Sequence, residues 1–119
     1  YDEAFAGLPW LRTPAHPVNG AHGYQSYACL FRPTEVSAGA IKAVNDQRNQ
    51  WMDLLLKAGV STRPATHAVH MLTFYREKYG LTPESFPNAH AANDCSISLP
   101  LFHGMTASEQ DHVIECVLR

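Results

Sequence analysis

Proline punctuates this chain so often that long helices are confined to a few stretches. Pro9, Pro14 and Pro17 fall within the first 23 residues, in "GLPWLRTPAHPVNGAHG". They rule out a long helix there, leaving room only for a short one at Tyr1–Ala6. That segment reads as an ordered linker leading into the domain, anchored by Trp10 and Leu11. Pro33 stops the aromatic-rich run "YQSYACLF", Tyr24 to Phe31, whose rough alternation predicts a strand. Pro64 ends a short strand candidate, "VSTR". Pro100 closes "CSISL", where period two predicts Cys95, Ile97 and Leu99 inward and Ser96 and Ser98 outward.

Helices fill the intervals. Residues 34–44 can start one, although Gly39 weakens it. "NDQRNQWMDLLLKAG" predicts a helix with Asn45 as N-cap, Arg48, Trp51, Met52 and Leu55 on one face, and Gly59 as its stop. "THAVHMLTFYREKYG" predicts another, capped by Thr66 and ended by Gly80, with Ala68, Leu72, Tyr75 and Tyr79 forming one apolar stripe. "LTPESFPNAHAAND" reads as a turn and a short helix. "TASE" opens the last helix with a capping box between Thr106 and Glu109, and Val113, Ile114, Val117 and Leu118 give its apolar face. The order is strand, helix, strand, helix, short helix, strand, helix. The expected class is α+β, a small sheet of about three strands packed with helices, in a single domain over 1–119 with a leading linker at 1–23.

Composition narrows the function classes. A formal net charge of −2 offers no basic footprint for nucleic acid. No apolar run approaches the ~20 residues of a membrane span. Three widely spaced cysteines, Cys29, Cys95 and Cys116, include no CxxC and point to reduced thiols. No signal-peptide pattern is visible. A cytoplasmic setting is therefore expected. The chain starts at Tyr1 rather than methionine, which fits a portion of something longer.

Several chemistries lack their residues. His67 and His70 are spaced as helix neighbours, but Ala68 stands where HExxH needs glutamate, so a metal role has little support against a polar helix start. No GxSxG, GxGxxG or phosphate loop occurs. No cysteine carries a nucleophile signature, and no carboxylate pair suggests acid–base work. Arg63 remains. At a strand end, beside the free amides of a helix starting at Thr66, its guanidinium would make a site for phosphate or carboxylate. The plain alternative is a surface arginine paired with a nearby acid.

These segments, in order, resemble the DegT/DnrJ/EryC1/StrS aminotransferases. "KAGVSTRPATHAVH" followed by "FY", and "SLPLFHGMT" with its following helix, carry most of the likeness, and "YDEAFAGLPWLRTPAHPVNGAHGYQSYACLF" is similar to the lead into that family's last domain. The resemblance covers nearly the whole chain and matches the C-terminal small domain alone. It implies a pyridoxal-phosphate (PLP) enzyme that moves an amino group from glutamate or glutamine to a keto-sugar on a nucleotide, works as a homodimer and serves cell-surface polysaccharide biosynthesis. It implies substrate contacts from His22, Tyr24, Arg63, Thr66, His67, His70 and Ser98. Lys42, Lys57 and Lys78 do not stand in the family's lysine motif, so no cofactor-binding residue is expected here and the isolated chain is expected to hold no PLP. A free-standing, non-catalytic ligand-binding or dimerising module of the same fold is the alternative.

Overall fold

A computed structural model of the chain describes residues 1–37 and 39–119; Ala38, inside the 34–44 stretch read above as a helix start, lies outside the described residues. A three-stranded antiparallel sheet runs in the order β1 (Leu11–Arg12), β2 (Tyr27–Phe31), β3 (Ser96–Leu99). Register places Leu11 opposite Phe31, Cys29 opposite Ile97 and Tyr27 opposite Leu99. Four helices accompany it: α1 (Ile41–Lys57), α2 (Thr73–Tyr79), α3 (Pro87–Cys95) and α4 (Ala107–Leu118). The α+β expectation holds, with a different third strand.

That strand comes from the proline-rich start. Leu11 is 2% exposed, and Phe5 packs into the same core as Leu11, Ile97 and Val113. The first 23 residues thus contribute core side chains as well as a connection. "VSTR" was expected as a strand, but only Arg63 pairs, in a lone bridge to Ser98. The strand predicted from Tyr24 begins at Tyr27.

Helix α1 starts at Ile41, so Asn45 is not its cap; the Asn45 amide instead donates to the Asp94 carbonyl at 2.7 Å. Ile41, Val44, Arg48 and Leu55 form its buried stripe at helical spacing. Its end matches expectation closely. Gly59 adopts φ 85°, Val60 N–H donates to Leu55 O at 2.8 Å, and Gly59 N–H donates to Leu56 O at 3.0 Å. This is the Schellman pattern, and Val60 and Leu55 meet in the core as that motif favours. Helix α4 carries the predicted capping box: Glu109 N–H donates to Thr106 Oγ1 at 3.2 Å, and Thr106 N–H to Glu109 Oε2 at 2.8 Å. Leu118, assigned to its apolar face, is exposed, and Val113 and Val117 are its buried residues.

Between α1 and α3 the expected long helix is broken. Residues 61–68 form an extended strap, so Thr66 caps nothing. A single 3-10 turn follows at Val69–Met71, and α2 begins at Thr73. The predicted stripe splits accordingly: Ala68 is buried in the strap, while Leu72, Tyr75 and Tyr79 face outward on a projecting hook. The serines of β3 were expected outward, yet Ser96 and Ser98 are buried, because the strap runs along the outer edge of the strand. Cys95 is the last residue of α3 rather than the first of β3.

Candidate functional site

Where the strap leaves Gly59, it opens a cleft of about 710 Å³ against the end of β3 and the first turns of α4. Val60, Leu99 and Val113 make an apolar floor, Leu101, Phe102 and Met105 add apolar lining, and the polar lining includes Thr62, Arg63, Ser98, Ser108, Glu109 and His112. Arg63 is fixed by its backbone: its carbonyl accepts from Ser98 N–H at 2.7 Å and its own N–H donates to Ser98 O at 3.5 Å. Its side chain is exposed and, among the described residues, makes no ion pair. The plain alternative of a surface pair is therefore not what the fold builds. Thr62 Oγ1 is buried without a hydrogen-bond partner among the described residues. On the α4 side, hydrogen bonds from the Thr106 backbone and hydroxyl hold the Glu109 carboxyl below its ordinary range, so the rim carries both signs of charge.

The other named residues lie elsewhere. His22 and Tyr24 sit ahead of β2, ring centroids 4.3 Å apart, with Tyr24 N–H donating to His22 Nδ1 at 2.9 Å. Tyr24 holds φ 43°, costly for a bulky side chain. It is anchored because its hydroxyl donates to Asp2 Oδ2 at 3.1 Å, beside the Tyr27 hydroxyl bonded to Asp2 Oδ1. The Tyr27 bond, most of all, keeps the Asp2 carboxyl below its usual range. Thr66 and His67 are exposed on the strap. His70 is buried at the root of the hook, its Nε2 3.3 Å from Pro83 O and its ring edge-on to Phe86 at 5.1 Å. The structure thus brings Arg63 and Ser98 together, and separately His22 with Tyr24. The helix-start amides proposed for anion binding are absent, because no helix begins at Thr66.

Ser108 and His112 are among the cleft residues that the sequence reading did not assign to a site. They stand four residues apart on α4 and so share one of its faces. That spacing was available as a signal. His112 Nε2 also lies 2.9 Å from Ala58 O, joining α4 to the end of α1.

PLP needs a lysine, an acid for its ring nitrogen and a phosphate cradle. No lysine lines the cleft. Lys42 is paired with Asp46 at 2.7 Å, Lys57 is exposed in the last turn of α1, and Lys78 lies 5.3 Å from the Phe74 and Tyr79 ring centroids. The residues present do not fit the cofactor. Burial pushes the Cys29 thiol up to about 12 and raises the Cys95 thiol as well. Among the described residues no cluster of three or more metal-ligating side chains occurs, and no helix is long and apolar enough to cross a membrane.

The small antiparallel sheet flanked by helices matches part of the fold of solved sugar aminotransferases. The Spr1654 chain of Streptococcus pneumoniae, described as a sugar aminotransferase, superposes with TM-score 0.77 at 25% identity, over 98% of this chain and 27% of that one. PseC of Helicobacter pylori, an aminotransferase involved in pseudoaminic acid biosynthesis, shares the fold at TM-score 0.77 and 15% identity, over 99% of this chain and 29% of its own. The model of the DegT/DnrJ/EryC1/StrS aminotransferase family matches residues 1–118, and the chain belongs to that family. It is 30% identical over 122 aligned positions to the spore coat polysaccharide biosynthesis protein SpsC of Bacillus subtilis. It is 27% identical over 117 to the uncharacterized protein MJ1066 of Methanocaldococcus jannaschii. In both cases it spans 98% of itself and 28% of the relative.

Proposed function

We propose that these residues are the C-terminal small domain of a PLP-dependent aminotransferase whose substrate is a keto-sugar carried on a nucleotide. The observation that carries the reading is Arg63: a family member's arginine, pinned by its backbone at the mouth of a cleft, with its guanidinium unpaired among the described residues. A guanidinium there presents a planar fork suited to a diphosphate. Ser98 beside it, and His22 and Tyr24 ahead of β2, are further contacts to the nucleotide sugar. Thr66, His67 and His70 follow Arg63 on the same strap and hook and complete that set. PLP, when bound, stabilises charge at the carbon being aminated. The lysine that carries it belongs to the rest of the enzyme. Glutamate or glutamine is the amino donor, the complete enzyme is a homodimer, and the setting is the cytoplasm, with the product destined for a surface polysaccharide as the name of SpsC suggests.

The test is steady-state kinetics on the complete enzyme. Arg63→Ala should raise KM for the nucleotide sugar at least about tenfold, since a charged hydrogen bond is worth ~1.5–3 kcal/mol, while KM for the amino donor stays within about twofold. An equal rise for both substrates, or none, removes Arg63 from the role.

A further inference from the structure

The strap pairs with β3 through one bridge, and a buried arginine reaches β3 where the next would form. Arg63 and Ser98 exchange both backbone hydrogen bonds. In an antiparallel ladder the next pair to do so would be Ala65 with Ser96, since alternate residues present N–H and C=O to the same edge. Pro64, between them, has no N–H to lose. The Ser96 carbonyl, however, already accepts from Arg48 Nη1 at 2.8 Å. Arg48 reaches it from α1 and is only 4% exposed. Ala65 N–H turns instead to the Ser96 hydroxyl, at 3.2 Å. Three residues on, Ala68 N–H donates to Asn93 Oδ1 at 2.8 Å. Side chains of β3 and α3 therefore take over from the ladder and steer the strap away from the sheet.

We propose that Ser96 is a positioning residue for Arg63: its hydroxyl, replacing the carbonyl that Arg48 occupies, holds the strap so that the Arg63 guanidinium stays at the cleft mouth. This rests on the nucleotide-sugar reading of Arg63. Ser96 is buried beneath the strap and does not line the cleft, so it acts through the backbone of Ala65 and not on the ligand. Asn93 secures the far end of the same strap.

The experiment is a double-mutant cycle in the complete enzyme: wild type, Arg63→Ala, Ser96→Ala, the double variant and Ser96→Thr, each assayed against both substrates, with melting temperature recorded. Ser96→Ala should raise KM for the nucleotide sugar about threefold to tenfold and leave KM for the amino donor alone. In the Arg63→Ala background the same change should add less than about twofold, because both act on one contact. Ser96→Thr, which keeps the hydroxyl, should restore KM to within about twofold of wild type. A full effect of Ser96→Ala in both backgrounds, a parallel rise in amino-donor KM, or no effect while Arg63→Ala remains harmful would overturn the proposal and leave the Arg63 reading standing. If Arg63→Ala itself leaves nucleotide-sugar KM unchanged, the reading fails and the positioning role fails with it. Should Ser96→Ala not fold, Asn93→Ala, at a half-buried site, replaces it in the cycle with the same expected non-additivity.

Discussion

Strand β3 and helix α2, separated in the chain by α3, have opposite fortunes. Ser96, Ile97, Ser98 and Leu99 are all buried, Ile97 completely. Helix α2, seven residues long, buries none of its side chains. Its aromatics meet one another: Phe74 and Tyr75 at 5.2 Å, Tyr75 and Tyr79 at 6.4 Å, with Lys78 over two of the rings. A helix this short is not held by its own propensity. The strand is held by packing on two neighbours and a strap, and the hook is held at its root, where His70 meets Phe86 and Pro83. The contrast says that rigidity is concentrated where Arg63 is placed.

Substitutions can break that contrast in graded steps. Ile97→Ala should cost the most, about 2–5 kcal/mol by urea denaturation, because it empties a fully buried site in the centre of the sheet's core. A loss below about 1 kcal/mol would mean β3 is not the rigid element described. His70→Ala should cost about 1 kcal/mol, since it removes a buried ring and a hydrogen-bond partner at the hook's root. Tyr75→Ala, on the hook's outer face, should fall within about 0.5 kcal/mol of wild type in the 119-residue chain. If Tyr75→Ala matched Ile97→Ala, the hook would have to be packed, and the comparison would collapse. The Arg63 kinetics sharpen it from the other side, since Arg63→Ala, at an exposed side chain, should move substrate affinity with little change in melting temperature.

How much of this was legible in the sequence depends on how far each device reaches. The Gly59 stop and the Thr106–Glu109 box are local, made within a few residues, and both were read correctly. Asn45 had a cap's chemistry but found a partner 49 positions away, while the helix began at Ile41. Strand β1 is two residues long and exists only through its pairing with Leu30 and Phe31, which no periodicity announces. The strap misled most. Val60 to Arg63 has strand composition, yet only Arg63 pairs, and the Ser96 carbonyl further along β3 accepts from Arg48, a residue on another element. Of the cleft residues, Arg63 was read from its place at a strand end, and Ser98 was implied by the family resemblance alone. Ser96 was missed because its alternation predicted solvent, and the strap covers it.

The order of the sheet has a consequence during synthesis. β2 lies at the centre, and its partner β3 follows α1, the hook and α3 in the chain. On the ribosome, the central strand must therefore leave the exit tunnel with one edge open, its Tyr27, Cys29 and Phe31 face covered at first by Phe5, Leu11 and Trp10 and then by α1. Such an edge invites pairing with another nascent chain. Completion of β3 closes it, and in the same movement sets the strap and Arg63, so the mouth of the cleft is among the last parts of this chain to form.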